Sequence, residues 1–184
     1  MNQHDMTRNM VLAALFAALT AIGAFLQIPT GTVPITLQFL FTALAGLLLG
    51  WKWGAVSQLL YVGIGLLGLP VFTQGGGIGY VLQPSFGFLL GLIPAAAVIG
   101  AMTARRTGYL TVLAAVLVGD LILYAVGVPY MYLILHVYMQ SAKTFPALLA
   151  AMLVYVPGDT LKIVVVTALA PVLRRTLVKA VPNL

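Results

Sequence analysis

Asp159 and Lys162 are an acid and a base three residues apart, within Pro157, Gly158, Asp159, Thr160, Leu161 and Lys162, a stretch embedded in sequence apolar enough for lipid. Residues i and i+3 of a helix share a face, so this spacing can turn a carboxylate and an ammonium toward one cavity. A carboxylate accepts from amide N–H groups, and an ammonium donates to a carbonyl or pairs with an acid. Together they suit a small, mostly apolar solute such as a cyclic urea, held by a few polar anchors. Placing each ionised group in a membrane costs about 2.5–3.5 kcal/mol on insertion scales, so a binding site or ion path is the default reading. The competing reading is a self-neutralising pair that merely makes the segment tolerable. Pro157 lacks a donor and Gly158 is permissive, which predicts a helix that starts or restarts here with free amide groups near Asp159.

Other side chains add to this chemistry. Asp120 is followed one turn later by Tyr124, and Thr36 and Gln38 stand where a second apolar span begins. Gln38 reads either as a ligand contact or as an amide solvated at the interface. The cluster Gly75, Gly76, Gly77, Ile78, Gly79, Tyr80 fails as a dinucleotide fingerprint, because the sixth residue from Gly75 is Tyr80. No Gly-Lys-Ser/Thr phosphate loop occurs, so ATP hydrolysis has no visible means. The glycines offer close backbone approach instead, as a lid over a site or as a tight turn. There is no cysteine, and His136 has no companion at metal-ligand spacing, so no metal site or cofactor is expected. An intramembrane enzyme using Asp159 or Asp120 as acid or base is an alternative, weakened by the absence of a nucleophile pattern. A purely structural subunit is a third reading, weakened by the cost of the buried charges.

The elements that must position these groups are membrane helices. Of 184 residues 62% are hydrophobic and 7% charged, against about 25% charged in a soluble domain. Barrel-type alternation is absent, so an all-α membrane protein is expected, a single domain over 1–184. Spans are expected at 10–26, 35–49, 55–67, 84–103, 109–126 and 146–173, the last broken near 157–158. Gln27 to Pro34 reads as a loop, Gly50 to Trp53 as an interfacial anchor, and the tyrosine-bearing stretch from Gly127 to Lys143 as a connection in the headgroup layer. In the first span Ala13, Ala17 and Ala21 recur every four residues, as do Ala14 and Ala18. Such a face admits close helix approach, either within the bundle or from an external partner.

The net charge of +6 is spread near span ends, a pattern of membrane orientation and not of nucleic-acid binding. Six spans put Arg8, Lys52, Arg105, Arg106, Arg174, Arg175 and Lys179 on one side and Lys143 on the other, which predicts both termini in the cytoplasm. At a rise of about 1.5 Å per residue, Lys162 lies about 18 Å and Asp120 about 21 Å from the basic ring. In a hydrocarbon core about 30 Å thick, both lie in the outer half, beneath an extracytoplasmic glycine loop.

Three segments resemble the BioY-type substrate-binding subunits, or S-components, of energy-coupling factor (ECF) vitamin transporters. They are Val33-Pro34-Ile35-Thr36-Leu37-Gln38, Gly68-Leu69-Pro70-Val71-Phe72 leading into Gly75 to Tyr80, and Pro157 to Lys162. Their order covers nearly the whole chain. The resemblance implies the six-helix S-component fold in the cell membrane and biotin as the ligand. It assigns Asp159 and Lys162 to the polar head of biotin and the loop of Gly75, Gly76, Gly77, Gly79 and Tyr80 to a lid, with Phe72 of the preceding motif as a further substrate-binding candidate. It makes the alanine stripe of Ala13, Ala14, Ala17, Ala18 and Ala21 the docking face for a membrane scaffold subunit. That scaffold and two ATPase subunits would supply the energy. A solitary transporter working as a homo-oligomer is the other arrangement the resemblance allows. Asp120, Tyr124, Thr36 and Gln38 are site candidates from the residues themselves.

Overall fold

The computed structural model describes residues 3–30, 33–105 and 108–180, with side chains as far as Leu173. Gly31, Arg106 and the side chains of Arg174, Arg175 and Lys179, which entered the loop and orientation readings, lie outside the described residues. The chain forms α1 (Gln3–Phe25), a ribbon of β1 (Gln27–Ile28) and β2 (Ile35–Thr36), then α2 (Gln38–Leu66) and α3 (Phe86–Thr103). It continues as α4 (Tyr109–Leu133), the short α5 (Phe145–Ala151) and α6 (Val156–Ala180). Among the described residues five helical stretches are long and apolar enough to cross a membrane, counting α2 as one. Large apolar side chains such as Leu15, Ile22, Leu121, Leu161 and Val164 stand exposed on the outside of the bundle, as lipid-facing residues do.

The expected second and third spans are the two limbs of α2. The two helical limbs meet at a corner at Gly50, whose φ of 75° and ψ of 179° are non-helical and suit glycine. The limbs fold back on each other, as cross-limb contacts show: Gln38 meets Tyr61, Thr42 meets Gln58, and a Cβ on Gly54 would fall 2.9 Å from the Gly46 Cα. Helix α1 closes this hairpin through one face, burying Ala13, Phe16, Ala17, Thr20, Gly23 and Ala24 at helical spacing. Deep between α1 and the limbs, Gln58 accepts from Thr42 at 3.0 Å and donates to Thr20 at 3.3 Å and Ser57 at 3.0 Å. Interhelical bonds of this kind bind helices where apolar packing alone gives little preference.

Two boundaries differ from the sequence reading. The fifth span does not stop at Val126: α4 continues through Gly127 and Pro129 to Leu133 and a π-helical turn, Ile134–Tyr138. Gly127 is a packing residue, since a Cβ there would fall 2.4 Å from the Phe88 ring, and the Pro129 side lies exposed. The last span breaks earlier than Pro157. After α5 a 3-10 turn, Met152–Val154, leads to Tyr155, and α6 begins at Val156. Pro157 thus lies in the first turn, where its missing N–H forfeits no helical bond.

Candidate functional site

One end of the bundle gathers the start of α6, Leu123 and Tyr124 of α4, the β-ribbon, the start of α2, the segment from Thr73 to Ser85 and the start of α3 around a cavity of about 620 Å³ counted with its open mouth. Its polar wall is Thr36, Gln38, Thr73, Tyr80, Ser85, Tyr124, Tyr155, Asp159 and Lys162, and its apolar wall includes Phe88, Leu92, Leu123 and Met152. A mostly apolar cleft with a few converging polar groups is the usual form of a small-molecule site.

Asp159 and Lys162 occupy the first two turns of α6 and are 6% and 7% exposed. The Lys162 ammonium lies 2.5 Å from Asp159 Oδ1 and donates to the Thr36 carbonyl at 3.2 Å. The Tyr124 hydroxyl of α4 donates to Asp159 Oδ2. A carboxylate near a helix N-terminus is favoured by the helix dipole, and this one is also held by two side chains from different directions. The free-amide expectation is modified: the Asp159 N–H bonds to the Tyr155 carbonyl at 2.9 Å, and Ile35 of the ribbon covers Gly158.

Thr36 and Gln38 are linked to this pair by a polar chain. Thr36 donates to Gln38 Oε1 at 2.8 Å, Gln38 Nε2 donates to the Tyr61 hydroxyl at 2.8 Å, and Tyr61 donates to the Val71 carbonyl at 3.1 Å. Gln38 is therefore a buried, bonded wall residue and not a solvated interfacial amide.

The glycine segment is a pinned turn beside the cavity. Gly75 and Gly77 adopt φ of 110° and 100°, backbone that favours glycine. Phe72 and Gly75 bond each other, and the Gly77 N–H reaches the Gly65 carbonyl at 2.7 Å. Tyr80 lines the cavity and its hydroxyl meets Thr73 at 2.8 Å. Gly75, Gly76, Gly77 and Gly79 are not on the wall, and neither is Phe72, which is 1% exposed with its ring against Gly65, Tyr61 and Tyr80. In this structure they form a framework behind Tyr80.

Asp120 is also off the wall, one turn below Tyr124, although it lies within electrostatic range of Asp159 and Lys162. The alanine stripe divides. Ala13 and Ala17, on the row that meets α2, are buried, Ala21 is half-buried, and Ala14 and Ala18 face outward. The docking expectation is corrected for Ala13 and Ala17, since helical periodicity turns them into the bundle's own core.

Tyr155 was missing from the sequence reading. Its hydroxyl donates to the Val33 carbonyl and lies 2.9 Å from Thr30 Oγ1, so it ties the ribbon to the start of α6 from inside the cavity. An aromatic two residues before Pro157-Gly158, which marks an interrupted helix in the sequence, was the available signal, because interrupted membrane helices commonly frame sites. Ser85, Thr73 and Phe88 gave no such signal.

The chain matches the BioY family model over residues 1–179. It is 53% identical over 147 residues to the probable biotin transporter BioY of Lysinibacillus sphaericus, covering 79% of this chain and 75% of that one. To the biotin transporter BioY of Thermotoga maritima it is 35% identical over 164 residues, covering 89% and 94%. It superposes with a TM-score of 0.83 and 29% identity on the crystal structure of the S-component for biotin from an ECF-type ABC transporter, covering 95% of each chain. The chain belongs to the BioY family and is an all-α, multi-pass membrane protein. Its relatives are transporters and not enzymes, and the intramembrane-enzyme alternative is set aside.

Proposed function

We propose that this BioY-family chain binds biotin in the cavity beside α6 and mediates its uptake across the cell membrane as the S-component of an ECF transporter. The observation that carries this reading is the Asp159–Lys162 pair, 2.5 Å apart and set into the wall of a mostly apolar cavity. The ureido head of biotin offers two N–H donors and a carbonyl acceptor, which complement the Asp159 carboxylate and the Lys162 ammonium. Tyr80, Tyr124, Thr36 and Gln38 complete the polar rim, and the apolar wall takes the thioether ring and alkyl chain. Biotin transporters among the relatives and the biotin S-component among solved structures support the same ligand.

The cavity faces the outside and the termini lie in the cytoplasm. Arg8, Lys52 and Arg105 lie at the bundle end opposite the cavity, which supports this orientation by the positive-inside rule. The chain lacks an ATP-binding loop of its own, so a scaffold subunit docked on the outward row of α1 at Ala14 and Ala18, with two ATPase subunits, supplies the energy. Calorimetric titration of the detergent-purified chain with biotin, with thiamine as control, tests the assignment. One-to-one binding of biotin alone is expected. A folded sample that gives no heat with biotin overturns the reading.

A further inference from the structure

Two acids and one base share the layer beneath the cavity, and their bonds are unequally distributed. Asp159 uses both oxygens, Oδ1 toward Lys162 and Oδ2 toward Tyr124. Lys162 spends one donor on Asp159 and one on the Thr36 carbonyl, leaving its third N–H for whatever enters the cavity. Asp120 receives nothing at Oδ1, which is fully buried and without a hydrogen-bond partner among the described residues. Its charged neighbours are Asp159 and Lys162, and Tyr124 and Tyr155 are the other titratable groups near this layer. Helix α3 carries no ionisable side chain, and the charged residues of α1 and α2, Asp5, Arg8 and Lys52, lie at the opposite end of the bundle.

Asp120 as a whole is half-buried, but its Oδ1 is enclosed and unpaired, and an ionised carboxylate so placed on a membrane helix is costlier than a neutral carboxyl. A second full negative charge beside Asp159 would also compete for Lys162, whose remaining donor is the one a ligand carbonyl needs. We propose that Asp120 is a proton-binding residue of the site, carrying its proton while the ligand is held and weakening the site when the proton leaves. The step is a simple ionisation: the Asp120 O–H bond breaks, the electron pair stays on the carboxylate, and the proton goes to solvent. Asp120 thereby acts as a positioning residue through Lys162 without touching the ligand.

The linkage to affinity rests on biotin being the ligand, whereas the proton on Asp120 can be read without any ligand. Difference infrared spectroscopy of the ligand-free chain should show a protonated-carboxyl C=O band that titrates away as pH rises. Asp120→Asn should lack that band, and Asp5→Asn, altered at the opposite end of the bundle, should retain it. Biotin affinity of the unaltered chain should fall over the same pH range, by up to about tenfold per pH unit for one linked proton. Asp120→Asn should lose that dependence, whereas weakening caused by deprotonation of Lys162 would persist in the variant. Absence of the band, its survival in Asp120→Asn, or equal pH dependence in both proteins overturns the proposal. So does an affinity set by sodium concentration at fixed pH with no band, which would place a metal cation at Asp120. Failure of biotin to bind with the band intact would sink the biotin assignment and leave the proton on Asp120 standing. Where Asp120→Asn does not fold, survival of the band in both Asp5→Asn and Asp159→Asn assigns it to Asp120, since the chain has three acidic side chains, and its loss in either overturns the proposal.

Discussion

Tyr124 on α4 donates its hydroxyl to Oδ2 of Asp159 on α6, opposite the Lys162 ammonium at Oδ1. The carboxylate is therefore fixed by two helices at once. A hydrogen bond to a charged group is worth about 1.5–3 kcal/mol. Tyr124→Phe should accordingly weaken biotin binding on the order of tenfold, measured by calorimetry on a folded variant. An unchanged affinity would remove Tyr124 from the site.

The Asp159–Lys162 pair is separable into stability and recognition. Lys162→Met leaves Asp159 buried without its counter-ion and should lower stability by about 3–5 kcal/mol, read as a drop in unfolding temperature in detergent. Adding Asp159→Asn should recover much of that loss without restoring binding. At neutral pH Asp159→Asn alone should weaken biotin binding more than Asp120→Asn, because only Asp159 lies on the cavity wall. Recovery of binding in the double variant would show the pair to be structural.

The glycine segment discriminates packing from freedom. A Cβ on Gly65 would fall 2.1 Å from the Phe72 ring, whereas one on Gly79 meets nothing within 4 Å. Gly65→Ala should cost about 1–3 kcal/mol through overpacking and disturb Tyr80 behind Phe72. Gly79→Ala should leave the unfolding temperature near that of the unaltered chain.

The two alanine rows of α1 should respond differently. Ala18→Leu, on the outward row, should leave biotin binding intact and reduce co-purification with scaffold and ATPase subunits. Ala13→Leu enters a fully buried position and should lower the unfolding temperature. If Ala18→Leu assembles normally, the docking face lies elsewhere.

A chain without cysteine is ready for site-directed labelling. A cysteine at exposed Ile78, beside the cavity, should react with an impermeant thiol reagent added outside intact cells. One at Lys52 should react only after the membrane is opened. The reverse pattern would invert the proposed orientation.

Much of this arrangement is local and so legible in the chain. Asp159 and Lys162 announce themselves by their cost in lipid, and the Gly75–Gly77 turn by the dihedrals it needs. What stayed hidden depends on partners far away in sequence. Tyr155 matters because Val33 lies above it, and Gly127 reads as a helix end until Phe88 is seen to occupy the space of its missing Cβ. Azimuth around a helix was not readable from the sequence: Asp120 and Tyr124 are one turn apart, yet only Tyr124 reaches the wall. The alanines of α1 show the same limit, since two interleaved rows of identical residues face opposite ways.

The corner at Gly50 has a bearing on how the chain enters the membrane. Each limb of the α2 hairpin is shorter than the about 20 residues that a helix needs to span the hydrocarbon core. Each also carries amides and hydroxyls, Gln38 and Thr42 on one and Gln58 and Tyr61 on the other, that find partners across the hairpin. Neither limb is a good passenger alone, and together they form a unit of nearest neighbours in sequence. The bonds between the limbs form only when the two lie together, so entry as a pair costs less than entry one limb at a time, and in the finished bundle Thr20 of α1 accepts from Gln58.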